Sequence, residues 1–425
     1  MFRGARVVDP ASGRDGTIDV LIEGGTVAAV GGGTERRGAT VLDCRGLVLA
    51  PGLVGLHAHL RQPGREDKET VETGSRAAAV GGYTAVAAMA NTDPVADNAA
   101  VIEEVRSLAA RAGLCDVFPV GAITKGLGGE EMAEVGEMAQ AGVRVFSDDG
   151  RCIPSARVLR NALRYARAFD VVIAEHCEDA SLSEGAQMHE GLHSSTLGLA
   201  GAPAEAEEVA VFRDLALARL TGGRLHLCHL SAAGSVELVR LAKASGLRVT
   251  AEVTPHHLAF SDEDLVTYDT NFKVNPPLRT PEDREALRAA VADGTVDAIA
   301  TDHAPHASVK KDVEFDQAAF GISGLETALA LVLGGVRVGW ASLETVIEAL
   351  TTGPARVLGI DRPKDDWVVI DRDAEWTPRA DELASKGKNT PLIGRTLMGR
   401  VVAAVVAGEV RYEGAVHAAE AVSRR

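Results

Sequence analysis

The sequence has few cysteines and no CxxC pair. Its five cysteines are odd in number and widely spaced, at Cys44, Cys115, Cys152, Cys177 and Cys228. This spacing argues against a disulfide framework and against a zinc ribbon. We therefore expect reduced thiols that pack as small apolar groups. Cys177 and Cys228 each adjoin a histidine, but the alternation of a strand predicts that they face away from it.

The sequence also lacks the run of about 20 uncharged apolar residues that a membrane-spanning helix needs. Its first residues lead into a strand pattern, so we expect no signal peptide and a cytoplasmic protein. A formal net charge of −16 at pH 7 disfavours nucleic acid and anionic membranes as partners. Aromatic residues make up only 4% of the 425 residues and hydrophobic residues 46%, which predicts a substantial core built mainly from Ala, Val and Leu.

The chain changes its pattern near each end. Residues 1–50 carry short alternating runs broken by glycines such as Gly24-Gly25, and strand patterns return after about residue 363. Between them, apolar strands alternate with amphipathic helices, and we predict eight strands at 47–56, 83–90, 115–123, 143–148, 171–176, 224–229, 248–253 and 296–301. This alternation predicts an α/β protein with a (β/α)8 TIM barrel over residues 51–363. A small β-sandwich domain built from both chain ends, residues 1–50 plus 364–425, would lie beside the barrel.

Six potential metal ligands stand at the carboxyl ends of these strands, where the active sites of such barrels gather. They are His57, His59, Asp149, His176, His229 and Asp302. Alternation along strand one gives His57 and His59 a common face. A histidine pair held only by hydrogen bonds is the alternative, but it does not explain why the other four also stand at strand ends. Four imidazoles and two carboxylates suit divalent metals such as zinc, and we expect one or two ions, with two favoured.

Longer motifs surround these ligands, and they are similar to those of the class I dihydroorotases of the amidohydrolase superfamily along nearly the whole chain. The motifs include His57-Ala58-His59-Leu60-Arg61-Gln62-Pro63-Gly64, Phe146-Ser147-Asp148-Asp149-Gly150, His176-Cys177-Glu178-Asp179, Lys273-Val274-Asn275-Pro276-Pro277-Leu278-Arg279 and Thr301-Asp302-His303-Ala304-Pro305-His306.

The resemblance implies a zinc-dependent, reversible cyclisation of N-carbamoyl-L-aspartate to L-dihydroorotate in pyrimidine biosynthesis. A metal-bridging hydroxide would be the nucleophile, and Asp302 would act as general base and then general acid. The resemblance also implies two zinc sites bridged by Asp149, one formed with His57, His59 and Asp302 and the other with His176 and His229. Of the neighbours Asp148 and Asp149, the family pattern selects Asp149 to face the metals, and we expect Asp148 to orient its loop.

The substrate-binding residues that the resemblance implies are Arg61, Asn91, Asn275, His306, Phe320 and Gly321. Arg61 lies two residues beyond His59 on the same side of an extended chain, and its planar guanidinium suits a carboxylate. A surface salt bridge is the alternative for Arg61. We expect His303 to orient a ligand, whereas His256 and His257 stay open between structural and catalytic roles.

Two other functions stay open. A hydantoinase or allantoinase would share the barrel, but strand four has no lysine that could be carboxylated to bridge two metals, and Arg61 also argues against it. A non-catalytic scaffold for aspartate transcarbamoylase would not need the complete ligand set. We expect a homodimer that acts on a small molecule, and an association with aspartate transcarbamoylase stays open.

The segment from Pro305 to Gly321 is charged and has no clear period. A loop of this length in a compact barrel is usually functional or disordered. We expect it to close over a bound ligand, and a merely solvated connection is the alternative.

We predict that Arg61→Met cripples turnover of dihydroorotate and leaves the metal content unchanged, because its expected partner is the substrate carboxylate. Steady-state kinetics and elemental analysis would check this. An equal loss on a cyclic amide that lacks the carboxylate would instead mean that Arg61 acts structurally.

Overall fold

The computed structural model describes residues 1–23, 26–31, 40–361 and 365–414. The predicted Gly24-Gly25 turn and the domain boundary at 363–364 lie outside these residues. No helix in the described part of the chain combines the length and the apolar character needed to cross a bilayer.

The strands, in chain order, are β1 (Phe2–Asp9), β2 (Arg14–Glu23), β3 (Thr26–Val30), β4 (Leu42–Asp43), β5 (Val48–Pro51), β6 (Leu53–Ala58), β7 (Tyr83–Ala88), β8 (Asp116–Pro119), β9 (Val145–Ser147), β10 (Val172–Glu175), β11 (Met188–His189), β12 (Gly201–Ala202), β13 (Arg224–Leu227), β14 (Val249–Val253), β15 (Ala298–Ile299), β16 (Trp367–Trp376), β17 (Leu397–Val406) and β18 (Glu409–Glu413).

The α-helices are α1 (Val71–Val80), α2 (Ala99–Ala112), α3 (Val135–Gln140), α4 (Ala156–Ala166), α5 (Ala180–Ser183), α6 (Leu192–Leu197), α7 (Glu205–Thr221), α8 (Ala233–Ala244), α9 (Pro255–Ala259), α10 (Pro281–Ala292), α11 (Ala328–Val338), α12 (Leu343–Leu350) and α13 (Thr352–Leu358).

Polar residues set the starts of two of the helices between the parallel strands. The side chain of Ser155 accepts a hydrogen bond from the backbone of Val158 at the start of α4. The side chain of Thr280 accepts a hydrogen bond from the backbone N–H of Asp283, and Pro281 occupies the first turn of α10. These side chains satisfy backbone N–H groups that the first turn of each helix leaves unpaired.

Eight parallel strands follow one another side by side in the middle of the chain. One sheet has the order β6-β7-β8 and a second has the order β15-β14-β13-β10-β9. Isolated parallel bridges join the two sheets at both edges, between Gly121 and Phe146 and between Ala58 and His303. Because every pairing is parallel, the carboxyl ends of all eight strands lie on one side.

Strands from the two chain ends share a separate sheet of order β18-β17-β16-β5-β1-β2-β3, with β4 on β1. The antiparallel pairing of β16 with β5 joins the end segments, with Trp367 opposite Pro51. Alternate residues of this sheet pack into two different clusters. Leu49 and Val369 belong to the sheet's own core, whereas Val368 belongs to the main core that the parallel strands share. One face of this sheet therefore packs against the parallel strands.

The prediction of one continuous strand over residues 47–56 is wrong. The chain forms two strands there, β5 in the sheet from the chain ends and β6 among the parallel strands, with Gly52 between them. A Cβ at Gly52 would collide with the side chain of Thr84. The glycine is needed because the chain changes sheets at a point of close contact.

We predict that Gly353→Ala destabilises the protein by about 1–3 kcal/mol, because a Cβ there would collide with the backbone carbonyl of Asp297. Gly334→Ala in α11 is the matched control. Nothing lies within 4 Å of its Cβ position, and alanine is the better helix former. Thermal unfolding of both variants checks this, and equal melting temperatures would contradict it.

Candidate active site

The structure brings the six predicted ligand side chains into one cluster at the carboxyl ends of the parallel strands. All six are buried, with exposed fractions between 1% and 7%: His57, His59, Asp149, His176, His229 and Asp302. Three backbones near this cluster have positive φ, at Arg61 (63°), His229 (34°) and Asp302 (42°). This region is unfavourable for residues other than glycine, and it persists where the surrounding structure holds it.

The carboxylate of Asp149 lies between two sets of histidines. Its Oδ2 is 3.2 Å from His57 Nε2 and 3.4 Å from His59 Nε2. Its Oδ1 is 3.0 Å from His229 Nε2 and 3.6 Å from His176 Nδ1. Each oxygen therefore faces a different pair of imidazoles, which is the arrangement that a carboxylate bridging two cations requires.

Asp302 completes the first set. Its Oδ1 is 3.2 Å from His59 Nε2 and 3.6 Å from His57 Nε2. The ligand atoms of His57, His59 and Asp302 lie within 4.8 Å of one another, as do those of Asp149, His176 and His229.

These donors fit divalent metal ions. Tetrahedral zinc with bonds of about 2.0–2.2 Å places its ligand atoms roughly 3.3 Å apart, close to the spacing seen here. His57 Nε2 is buried and has no hydrogen-bond partner among the described residues. A buried nitrogen without a partner is unfavourable unless a cation or another group binds it.

The electrostatics of the cluster favour ionised carboxylates. Burial alone would raise the pKa of Asp149, but the imidazoles of His57, His176 and His229 hold it well below its usual range. Burial also opposes ionisation of Asp302, and His59 and His57 lower its pKa in the same way. Both side chains are therefore anionic at neutral pH and available to cations.

Three ligand histidines have a defined partner on the ring nitrogen that points away from the cluster. His57 Nδ1 is 2.9 Å from Glu252 Oε1, and His59 Nδ1 is 2.9 Å from Asn91 Oδ1. His176 Nε2 is 3.1 Å from Glu178 Oε2. Because an oxygen without a hydrogen can only accept, these partners place the proton on that nitrogen and leave the other one free to bind a metal.

Sequence reasoning missed Glu252 and left Glu178 without a role, although Glu178 follows the ligand His176 by two residues. The signal for Glu252 was present, because a glutamate inside the apolar strand β14 is seldom buried without a partner. In the structure Glu252 is buried and contacts both His57 and His226.

Asp148 turns away from the cluster. Its carboxylate accepts hydrogen bonds from the backbones of Ile123 (2.8 Å) and Thr124 (3.0 Å) and from the Thr124 hydroxyl. These hydrogen bonds hold the segment that follows β8 in place, as expected of a residue that orients a loop.

The prediction that Arg61 lies on an extended chain, on the same side as His59, rests on a wrong premise. The chain is not extended there. β6 ends at Ala58, and Arg61 adopts a φ of 63°. The side chain is nevertheless buried, which rules out a surface salt bridge, and its Nε has no partner among the described residues. Burial lowers the pKa of Arg61 to about 10, opposed by Asp302, so it remains a cation at neutral pH.

The other predicted substrate residues already make contacts within the protein. Asn275 Nδ2 donates to Glu178 Oε2 at 3.2 Å, and Asn91 contacts His59 as described. The backbone N–H of Gly321 donates to Lys273 O at 2.8 Å. This N–H is therefore already hydrogen-bonded within the protein.

His306 lies beside the predicted contact loop. Its Nε2 is 2.8 Å from Phe320 O, while its buried Nδ1 has no partner among the described residues. Burial and the nearby cations, Arg61 first among them, lower the pKa of His306 to about 3. Its ring is therefore neutral at neutral pH and leaves Nδ1 as a hydrogen-bond acceptor.

Two cavities adjoin these residues. One of about 640 Å³ is lined by Glu178, Asn275 and Phe320 among others. The second, of about 390 Å³, is lined by His306 and Lys311 among others. Asn275 and Phe320 thus border one opening, and His306 borders the other.

Cys228 does not face away from the cluster as the alternation of a strand predicted. β13 ends at Leu227, so Cys228 and His229 lie beyond the regular strand. The Cys228 sulfur lies within 4.8 Å of ligand atoms of His57 and Asp149. The physical reason is that side-chain alternation holds only while the backbone stays extended.

The remaining histidines separate by their contacts. His303 Nε2 is 3.4 Å from Glu69 Oε2, so its side chain does not orient a ligand as expected, although its backbone carbonyl accepts the N–H of His59 at 2.8 Å. Both ring nitrogens of His257 have partners, Thr254 Oγ1 and Pro276 O. His256 Nε2 is buried without a partner among the described residues.

Two buried lysines hold the segment from Pro305 to Gly321. Lys311 Nζ donates to the carbonyls of Thr270 and Ala319, and Lys273 Nζ donates to that of Phe315. The predicted closure over a bound ligand therefore needs an opening step in which these bonds break.

Comparison with known proteins gives a family model and full-length relatives that agree with each other. Residues 46–235 match the model of a family described as dihydro-orotase-like. The chain is 54% identical to the dihydroorotase of Anaeromyxobacter dehalogenans strain 2CP-C over 421 residues, which covers 97% of each chain. It is 49% identical to the dihydroorotase of Pelotomaculum thermopropionicum, covering 96% of this chain and 97% of that one.

Solved structures share the fold. The L-hydantoinase from Arthrobacter aurescens has a TM-score of 0.85 at 26% identity, covering 96% of this chain and 95% of that chain. The dihydropyrimidinase from Brevibacillus agri has a TM-score of 0.82 at 23% identity, covering 96% and 94% of the two chains.

We predict that Lys311→Met accelerates cleavage of the 305–321 loop by subtilisin about tenfold, because carbonyl hydrogen bonds of roughly 1 kcal/mol each are lost. Lys310→Met is the matched control, because the neighbouring Lys310 is exposed. Limited proteolysis of the folded proteins checks this. Equal rates in the two variants would show that Lys311 does not hold the loop.

Proposed function

The chain belongs to the dihydroorotase family, and from this premise we propose that it interconverts N-carbamoyl-L-aspartate and L-dihydroorotate as part of pyrimidine biosynthesis. Members of this family are cyclic amide hydrolases, so the chain is an enzyme. Relatives at 45–54% identity over nearly the whole chain support the assignment.

One observation carries the proposal, namely the position of Asp149. Its two carboxylate oxygens face two separate pairs of buried imidazoles. We assign His57, His59 and Asp302 to one metal, His176 and His229 to the other, and Asp149 to both.

We propose zinc as the metal, with two ions per chain, since imidazole nitrogens combined with carboxylate oxygens suit it. Bound there, the metals would supply an activated water and polarise the carbonyl that is attacked. Strand β9 offers no lysine for carboxylation, and Asp149 takes the bridging position in its place.

The protein's own residues divide the remaining work. Asp302 is anionic and buried, so it accepts a proton from the attacking water and returns it to the leaving nitrogen. Arg61 is a buried cation with an unpartnered Nε, which suits the substrate carboxylate. Neutral His306 offers Nδ1 as an acceptor and therefore suits an N–H of the substrate. We assign Asn91, Asn275, Phe320 and Gly321 to the walls of the same site.

We also propose that the eight parallel strands form a (β/α)8 barrel and that the sheet from both chain ends is part of a small β-sandwich domain. The two bridges that join the parallel sheets support the barrel. A homodimer, association with aspartate transcarbamoylase and a cytoplasmic location stay predictions from the sequence. Sedimentation of the purified protein, alone and with the transcarbamoylase, would test the first two.

A hydantoinase is the alternative, because the L-hydantoinase of Arthrobacter aurescens shares the fold at 26% identity. The greater identity to dihydroorotases and the buried Arg61 favour dihydroorotate. Purified protein assayed with dihydroorotate and with hydantoin, alongside elemental analysis, tests substrate and metal together. Turnover of hydantoin alone, or protein free of metal with full activity, would contradict the proposal.

We predict that Asp302→Asn lowers kcat by about 10²–10⁴-fold while most of the metal remains, because an amide oxygen still binds metal but cannot shuttle a proton. Turnover and metal content of the same preparation check this. A loss of only severalfold with the fold intact would mean that another group carries the proton.

A further inference from the structure

A chain of buried polar side chains runs behind the proposed metal centre. His57 Nδ1 lies 2.9 Å from Glu252 Oε1, and His226 Nε2 lies 3.2 Å from the other oxygen, Oε2. His226 Nδ1 in turn lies 2.9 Å from Thr250 Oγ1. The side chains of His57, Glu252 and His226 are each 1% exposed.

These contacts explain why strand β14 carries a charged residue in its interior. An ionised carboxylate removed from water is unfavourable unless hydrogen bonds and opposite charge compensate it. Glu252 is buried, its Oε1 lies 2.9 Å from His57 Nδ1, and its Oε2 lies 3.2 Å from His226 Nε2.

Parallel strand register creates this arrangement. His226 on β13 pairs with Thr250 on β14, so their side chains lie side by side on one face of the sheet. Glu252 is two residues beyond Thr250 and therefore points to the same face. The same direction brings it towards His57 at the end of β6.

We propose that Glu252, supported by His226, positions His57 as a metal ligand, which rests on the proposed two-metal function. As an acceptor, the Glu252 carboxylate keeps the His57 proton on Nδ1 and leaves the Nε2 lone pair facing Asp149 and Asp302. Its negative charge also makes the His57 imidazole a stronger electron donor to a cation.

The other two ligand histidines with a defined partner have a neutral or a more exposed one. The predicted effect is therefore specific to His57. His59 has only the neutral amide of Asn91, and the Glu178 side chain behind His176 is 22% exposed. Glu252 is thus the fully buried anion among these partners, and its effect should fall on the ion bound by His57.

Metal affinity of the metal-free protein tests the proposal without reference to activity. Titration with zinc against a competing chelator should give two dissociation constants for the wild type. Glu252→Gln should weaken one of them about 10–100-fold and leave the other within about threefold. His226→Asn should weaken the same constant by less. Glu252→Asp keeps the charge but shortens the reach to His57, so its affinity should lie between those of the wild type and Glu252→Gln.

Two controls separate positioning from a general effect on folding. Glu326→Gln changes a carboxylate that accepts backbone hydrogen bonds from Ala384 and Ser385, and it should alter neither constant. Glu178→Gln should weaken the constant that Glu252→Gln leaves unchanged. In nuclear magnetic resonance spectra, the downfield imidazole proton of His57 should move upfield in Glu252→Gln, because a neutral amide oxygen accepts more weakly than a carboxylate.

Four results would overturn the proposal. Unchanged zinc constants in Glu252→Gln would show that Glu252 does not act on the metal. A parallel fall of both constants with a lower melting temperature of the metal-free protein would make its role structural. Three zinc ions in the wild type and two in His226→Asn would make His226, Cys228 and Glu252, whose ligand atoms also lie within 4.8 Å, a metal site of their own. A wild type that binds no zinc would refute the proposed function, and this inference with it.

Discussion

The burial of two carboxylates among four imidazoles is the interaction on which the rest of the structure depends. Neither Asp149 nor Asp302 could stay ionised in this interior without the nitrogens that surround it. Those nitrogens come from different parallel strands, which meet only because all their carboxyl ends lie on one side. The parallel alignment of the strands therefore brings compensating groups to these buried charges, and the resulting cluster suits the protein to bind cations.

The residues that hydrogen-bond to the ligand histidines determine which ring nitrogen of each faces the cluster. His57 and His59 present Nε2, whereas His176 presents Nδ1, because Glu252, Asn91 and Glu178 hold the opposite nitrogens. An imidazole with the wrong tautomer would place a hydrogen where a lone pair is required. Metal binding at this site thus depends on the partners of the ligands as well as on the ligands themselves.

Hydrogen bonds also hold in place a loop that lies beside the cluster. The 305–321 segment contributes His306, Phe320 and Gly321, and it is held by the buried ammonium groups of Lys273 and Lys311. Burial lowers the pKa of Lys311 to about 7 and that of Lys273 to about 8. The observed position of this segment is therefore tied to the cost of removing two amino groups from water.

The sequence by itself determined the alternation of strands and helices and the six ligand candidates, because both follow from local periodicity and from residue type at strand ends. The resemblance to a known family also indicated which of Asp148 and Asp149 turns inward. Only the tertiary structure decided the backbone turn at Arg61, the direction of Cys228 and the contact between Glu252 and His57. Alternation fixes the face of a residue only while the strand is regular, and these positions depend on where each strand ends. Glu252 and His57 are 195 residues apart, and the register of neighbouring strands, which no local pattern encodes, brings them together.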